Sequence, residues 1–156
     1  MTDVLFSDDE LEEFRSCPKR VRNPGARWTT KPGHKQRNYN VISTADDNLR
    51  FRLYLRQNLV DEKDFSCGLA LIQPGGKSLS LVRYNGASHP HGDILYRCHI
   101  HNATSDALHS GMKIDRRAEE TNRYHTLQGA LACLIDDCAI QGLNATHDSG
   151  DLFNGN

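Results

Sequence analysis

The stretch that most restricts the fold of this chain is residues 49–57, where apolar and polar side chains alternate strictly. The apolar positions are Leu49, Phe51, Leu53 and Leu55, and the side chains between them are Arg50, Arg52, Tyr54 and Arg56. Because successive side chains of a β-strand point to opposite faces, this spacing predicts a strand with one buried face and one wet face. The chain must therefore build a sheet whose core lies on one side of that strand.

The wet face of this strand is a candidate nucleic-acid surface, because arginines hold phosphates and a tyrosine ring stacks on bases. Its members are Arg50, Arg52, Tyr54 and Arg56. The competing interpretation is structural, since charged side chains are mostly found where a protein meets water. Both interpretations fit the same alternation.

Further strands are predicted on both sides of this one. The segments with the length and composition of strands are Asn38–Ser43, Phe65–Ile72, Ser78–Tyr84 and Arg97–Ala103. Short polar turns such as Pro74–Lys77 separate several of them. Successive strands joined in this way form an antiparallel meander.

Two helices are predicted at the ends of the chain. Ser7 and Glu10 have the spacing of a capping box, so we expect a short helix that ends before Pro18. Thr126–Cys138 repeats apolar residues at helical spacing and predicts an amphipathic helix packed on the sheet. The predicted fold class is α+β, an antiparallel β-meander of about four to five strands covered by a C-terminal amphipathic helix, with a short N-terminal helix.

The length of 156 residues fits one domain, which we place at residues 1–140, followed by a flexible polar tail at 141–156. No apolar run approaches the roughly 20 residues of a membrane span, and the acidic N-terminus is unlike a signal peptide. We therefore expect a cytoplasmic protein with no membrane partner. Five cysteines without a Cys-x-x-Cys pair indicate reduced thiols.

The net charge of −1 conceals a strongly basic segment. Residues 14–37 contain eight lysines and arginines and no acid, whereas residues 1–13 contain six acids and no base. Prolines and glycines interrupt residues 18–37, which predicts an irregular basic arm. Its candidate contacts to RNA or another polyanion are Arg20, Arg22 and Trp28. The alternative is a solvated arm that the acidic segment neutralises.

Four of the eight histidines fall between residues 89 and 101, as two His-x-His pairs. On a strand, alternation places His99 and His101 on one face, together with Arg97 and Ala103. In the preceding strand the same rule places Leu79, Leu81 and Arg83 on one face. If the two strands pair as a hairpin, Arg83 lies near the histidines.

This cluster suits acid–base chemistry on RNA. Histidine titrates near neutral pH, so it can take a proton from a 2′-hydroxyl or give one to a leaving oxygen. Arginine donates a fork of N–H groups to phosphate oxygens. The candidate catalytic residues of a metal-independent ribonuclease are His89, His91, His99, His101 and Arg83. Arg97 is a further candidate contact to nucleic acid.

The same pattern permits an alternative function, that of a metal hydrolase whose ion is bound by histidines. Two histidines at i and i+2 on a strand can bind one ion, and Asp93 could orient a ligand. The possible ligands are His89, His91, His99 and His101. We expect no metal and no cofactor, because Arg83 and Arg97 repel a cation and attract phosphate. A third interpretation is that the histidines only line a polar surface.

The segment from Arg83-Tyr84-Asn85-Gly86 through the two His-x-His pairs resembles an uncharacterised family of small bacterial proteins with a histidine-bearing hairpin. Asp137-Cys138-Ala139-Ile140 is similar to the Cys-x-Ile element that ends the last helix in that family. The order of elements over residues 49–140 is also distantly similar to TumE-type toxins of bacterial toxin–antitoxin pairs. That resemblance implies a ribonuclease-like toxin with an antitoxin-like protein partner. The alternative is a non-enzymatic protein of phage or plasmid origin that binds nucleic acid, a nucleotide or a partner.

Overall fold

The computed structural model describes residues 6–87, 97–105 and 118–148. Helix α1 spans Asp8–Ser16 and helix α2 spans Leu127–Asp137. Both begin at the predicted caps: α1 has a complete capping box at Ser7, and the Thr126 hydroxyl accepts a hydrogen bond from the third residue of α2. No helix in the described ranges is long and apolar enough to cross a membrane.

The sheet of nine strands in the described residues is mixed. The strands are β1 (Lys19–Val21), β2 (Thr29–Lys31), β3 (His34–Ser43), β4 (Arg50–Asn58), β5 (Phe65–Ile72), β6 (Ser78–Asn85), β7 (His99–Asn102), β8 (Ala118–Glu120) and β9 (Ile140–Gln141). Their order is β8-β7-β6-β5-β4-β3-β1-β9, and β2 also pairs with β3. Strands β3–β8 form an antiparallel meander, β1 is antiparallel to β3, and β9 is parallel to β1.

The predicted α+β class is confirmed, but the sheet is larger than a meander of four to five strands. The additional strands β1, β2, β8 and β9 have only two or three residues each. Segments this short have no periodicity of their own, and they become strands because a neighbouring strand supplies backbone partners.

Both helices cover one face of the sheet, and the core lies between the helices and that face. The register places Leu55, Cys67 and Tyr84 side by side, and all three are buried. The Tyr84 hydroxyl donates to Asp137 of α2, and Arg123 donates to both oxygens of that carboxylate at 2.9 Å. Burial alone would raise the pKa of Asp137, but these hydrogen bonds outweigh it and hold the pKa below its usual value.

A bulge in β6 corrects the predicted side-chain directions of that strand. Leu79 pairs with Leu71, and the pairing with β5 resumes in a shifted register at Val82, so Leu81 is an extra residue. An extra residue reverses the alternation of side chains along a strand. Leu79 therefore faces the helices and Arg83 faces the opposite side, so the predicted shared face of Leu79, Leu81 and Arg83 is wrong.

The basic segment 18–37 folds into the sheet, so the predicted irregular arm is wrong. Strand β1 pairs with β3, and the side chain of Lys19 is fully buried. Its ammonium donates to the carbonyl oxygens of Arg15 at 2.7 Å, Cys17 at 2.8 Å and Cys138 at 2.9 Å. Pro18 precedes β1 and the other prolines and glycines of the segment lie between its strands, so none of them interrupts pairing.

Residues 141–148 also pack against the domain, in contrast to the predicted flexible tail. Gln141 pairs with Arg20 in the sheet, and Asp148 caps α2. The carboxylate of Asp148 accepts hydrogen bonds from the backbone N–H groups of His125 and Thr126, and from the Thr126 hydroxyl at 2.6 Å. Residues 149–156 of the predicted tail lie outside the described residues.

Candidate nucleic-acid interface

The sheet surface opposite the helices carries rows of arginine, amide and histidine side chains, and we call it the arginine face. The first row contains Arg20, Ile42, Arg50 and Ile72. The second contains Asn40, Arg52, Ala70 and Ser80, with Arg22 beside Asn40. The third contains Asn38, Tyr54, Gly68, Arg83 and His101. The fourth contains Gln36, Arg56, Ser66, Asn85 and His99.

The first two rows hold the exposed part of the arginine face. Arg20, Arg22, Arg50 and Arg52 are all exposed. Arg20 donates to the side chain of Gln141 at 3.0 Å, whereas no salt bridge holds the other three within the described residues. Strands β1 and β3–β6 contain no Asp or Glu. This part of the sheet therefore presents concentrated positive charge to solvent.

The third row contains Tyr54 and lies between the exposed arginines of the first two rows and the histidine end of the face. A Cβ atom at Gly68 would overlap the Tyr54 ring, so the ring lies across the neighbouring strand where only glycine leaves room. Arg83 lies near the Tyr54 hydroxyl and acts to lower its pKa, but burial has the larger effect. Burial raises the pKa of Tyr54, so the phenol remains protonated at neutral pH.

His99 and His101 lie on the same side of β7, and their rings are in contact. The ring centroids are 4.9 Å apart in an edge-to-face arrangement, and His101 pairs directly with Arg83. Nδ1 of His99 lies 3.0 Å from the carbonyl oxygen of Arg97. His99 is 3% exposed and His101 is 0% exposed, so the two histidines form an enclosed site beside the exposed part of the arginine face.

Tyr124 supports the histidines from the helix side of the sheet. Its side chain is fully buried, and its hydroxyl lies 2.8 Å from the carbonyl oxygen of Asn85 and 3.1 Å from that of His99. These two residues pair across β6 and β7. Tyr124 therefore fixes the backbone of Asn85 and His99, close to the two histidine side chains. No local motif distinguishes Tyr124 in the sequence.

Several of the predicted nucleic-acid contacts lie elsewhere or have partners. Trp28 is on the helix side, where the ammonium of Lys35 is 4.5 Å and the guanidinium of Arg37 is 5.8 Å from its ring centroid. Arg97 is exposed and pairs with Glu120 at 2.8 Å, outside β7. Trp28 is therefore separated from Arg20 and Arg22, its neighbours in the sequence, by the sheet itself.

Arg56 lies in the fourth row, half-buried and 3.9 Å from the carboxylate of Asp64. The predicted catalytic residues His89 and His91 lie outside the described residues, and so does Asp93. Of the predicted catalytic set, the structure therefore brings together His99, His101 and Arg83.

The described residues include no group of three or more His, Cys, Asp or Glu side chains placed to hold a metal ion. Two of the four possible ligands lie outside those residues, so the metal interpretation stays a prediction. All five cysteines are free and buried. Burial raises the pKa of Cys98 to about 11 and of Cys138 to about 12, which keeps these thiols protonated and unreactive.

Strand β3 also contributes to the arginine face, which was not predicted from the sequence. Asn38, Asn40 and Ile42 share that face, while Tyr39 and Val41 are buried toward the helices. The signal was present, because residues 38–43 alternate in the same way as residues 49–57. The exposed amide of Asn40 adds hydrogen-bonding groups that can read base edges.

Comparison of the chain with protein-family models, with curated proteins and with solved structures finds no match.

Proposed function

We propose that this protein binds single-stranded RNA on the arginine face. The observation that carries the proposal is the set of four exposed arginines, Arg20, Arg22, Arg50 and Arg52; they lie on strands β1 and β4, which contain no acidic residue, or, for Arg22, directly after β1. A phosphate chain laid across such a surface exchanges its counterions for guanidinium groups. Arginine also holds two phosphate oxygens at once, which favours it over a simple point charge.

A single strand fits this surface better than a duplex. Reading a duplex requires a helix or a narrow ribbon that enters a groove, whereas a broad sheet face offers neither. Splayed bases of a single strand can reach the amide of Asn40 and the ring of Tyr54. Asn40 lies in the same row as Arg52, and Tyr54 lies in the next row on the same face, so one surface can contact both bases and phosphates.

The first prediction concerns the exposed arginines. Arg50→Gln combined with Arg52→Gln should weaken binding to a labelled single-stranded oligonucleotide at least tenfold at low salt. Losing two phosphate contacts should also reduce the slope of log affinity against log salt by about 1.4, since each contact contributes about 0.7 for single strands. Fluorescence anisotropy at several salt concentrations measures both quantities.

The matched control is Arg27→Gln combined with Lys63→Gln, which removes the same charge from exposed positions outside the rows. It should leave affinity within about twofold, because screened charges far from the ligand contribute little. Equal losses in the two double variants would show that only net charge attracts RNA. That result, or no binding by the unaltered protein, would refute the proposal.

Cleavage of the bound RNA is a second candidate function, favoured by the contact between His99 and His101 opposite Arg83. One imidazole would remove the proton of a 2′-hydroxyl, and the other would protonate the departing 5′-oxygen. Arg83 would stabilise the charge that develops on phosphorus. The toxin-like interpretation, including an antitoxin-like protein partner, depends on this second function and is part of the same proposal.

The second prediction is that purified protein cleaves RNA in the presence of a chelator and leaves 2′,3′-cyclic phosphate ends. His99→Ala should reduce the rate at least a hundredfold, the lower range for losing one acid or base. His101→Gln is the companion variant, because glutamine keeps most of the buried volume. Mass spectrometry of the products identifies the ends, and circular dichroism confirms that both variants fold.

Growth arrest on expression that His99→Ala relieves would support the toxin-like role. No cleavage by the unaltered protein, or equal cleavage by folded His99→Ala, would remove the enzymatic candidate and leave binding as the function. The two functions are therefore tested separately.

A further inference from the structure

Two adjoining concavities lie within the exposed part of the arginine face. The first has a volume of about 410 Å³, and its walls include Arg22, Asn40, Arg50 and Arg52 around Ile42 and Ile72. The second has a volume of about 480 Å³ and includes Arg20, Thr44 and Asp47. Both concavities share Arg22, Ile42 and Arg50, so those three residues form the boundary between them.

The first concavity combines an apolar floor with polar walls. Ile42 and Ile72 are half-buried, which offers a surface for the face of a planar ring. The backbone of Asn40 is held on both sides, since its N–H donates to the side chain of Asn23 at 2.6 Å and its carbonyl accepts from Arg22 at 2.7 Å. Its exposed side-chain amide makes no hydrogen bond within the described residues, so both its donor and its acceptor can serve a ligand.

The second concavity differs in carrying a carboxylate. Asp47 disfavours a phosphate at its end of the concavity but accepts hydrogen bonds from ribose hydroxyls or from the amino group of a base. Arg20 donates to the side chain of Gln141, whereas the side chains of Arg22 and Arg50 at the boundary make no hydrogen bond and no salt bridge within the described residues. Phosphate is therefore favoured at the boundary, and nucleoside groups are favoured on either side of it.

We infer that the two concavities form a site for two consecutive nucleotides, with the connecting phosphodiester held by Arg22 and Arg50. One base lies over Ile42 and Ile72 and meets the amide of Asn40, while the other nucleoside lies toward Asp47. Arg52 meets the next phosphate. This inference rests on the proposed binding of single-stranded RNA and specifies where the strand is anchored.

The test is a series of ligands of increasing size: inorganic phosphate, ribose 5-phosphate, a nucleoside monophosphate, a dinucleotide with a 5′-phosphate, and oligonucleotides of four and eight residues. Backbone amide shifts in NMR titrations give both the affinity and the location of binding. The dinucleotide should bind at least tenfold more tightly than the monophosphate. Beyond the dinucleotide, each added nucleotide should increase the affinity by a smaller factor.

Asn40→Ala tests recognition of the base separately from attraction of the phosphate, because it removes a hydrogen-bonding amide and no charge. It should weaken the dinucleotide complex about three- to tenfold and leave the affinity for inorganic phosphate unchanged. Asn38→Ala is the matched control, because Asn38 is exposed on the same strand and face but lies outside both concavities. Its side-chain oxygen already accepts a hydrogen bond from Gln36 at 3.2 Å.

Three outcomes would overturn the inference while long RNA still binds. The first is equal affinity for inorganic phosphate and the dinucleotide. The second is an affinity that rises by the same factor with every nucleotide from two to eight. The third is an equal loss of dinucleotide affinity in Asn38→Ala and Asn40→Ala. Binding of the dinucleotide without binding of long RNA would instead overturn the proposed function and support a small nucleotide ligand. The two failures are therefore distinguishable.

Discussion

Lys19 joins the ends of both helices through one buried ammonium group. Its three hydrogen bonds reach the carbonyl oxygens of Arg15, Cys17 and Cys138, which belong to the C-terminal ends of α1 and α2. These carbonyls lack partners within their helices and carry partial negative charge. Burial lowers the pKa of Lys19, and hydrogen bonding with Cys17 offsets part of this shift by favouring the charged form.

We therefore predict that Lys19→Met destabilises the fold by about 2–3 kcal/mol, because buried carbonyl groups lose a charged donor. Urea unfolding followed by circular dichroism measures this change. Lys31→Met at an exposed position is the control and should stay within about 0.5 kcal/mol. Unchanged stability of Lys19→Met would mean that desolvation of the ammonium cancels its hydrogen bonds.

At the scale of elements, the segment 142–148 returns along α2 and ends at its N-terminus. Asp148 accepts from two backbone N–H groups and the Thr126 hydroxyl, and a Cβ atom at Gly129 would overlap its carboxylate. The glycine in the first turn of α2 is therefore required for this contact. His147 makes a second contact with α2, since its Nε2 lies 2.7 Å from the carboxylate of Asp136.

The pH dependence of stability follows from the pKa of Asp148. Burial would raise this pKa, but hydrogen bonds from Thr126 and His125 outweigh it and lower the pKa below its usual value. A depressed carboxyl pKa adds stability above the unfolded value of about 3.9, and that stability is lost as pH falls through the folded value. Asp148→Asn should therefore cost about 1 kcal/mol at neutral pH and little at strongly acidic pH.

Thermal unfolding of both proteins over a range of pH values measures this difference. Asp47→Asn, in an exposed turn, is the control and should have a small effect at every pH. A cost for Asp148→Asn that persists unchanged at strongly acidic pH would show that the carboxylate charge is not what stabilises the helix end.

For the whole molecule, the relevant quantity is the distribution of charge rather than its near-zero sum. Within the described residues, acids occupy α1, the turns at Asp46–Asp47 and Asp61–Asp64, strand β8, the end of α2 and position 148, whereas β1 and β3–β6 have none. Helices cover one face of the sheet, and Arg20, Arg22, Arg50 and Arg52 lie together on the other. A chain with a net charge of −1 can in this way present a strongly basic surface.

Part of this arrangement could be predicted from local sequence alone. Strand β5 and the core of α2 match their predicted ranges, and the alternation of β4 correctly separates its buried leucines from its exposed arginines. The pairing of Arg83 with His101 also follows the predicted hairpin. These features depend on the period at which apolar side chains recur along one segment, and consecutive residues are enough to determine that period.

Other features depended on contacts between distant segments. The bulge at Leu81 decides which side Arg83 faces, and the pairing of β1 with β3 and β9 decides that Lys19 is buried while Arg20 is exposed. The same pairing brings Arg20 and Arg22 beside Arg50 and Arg52. Composition and periodicity determined by themselves that this chain forms a sheet with a buried face and an arginine-bearing face. Only the tertiary structure decided which arginines share that face, because strand order and register depend on hydrogen bonds between residues far apart in the chain.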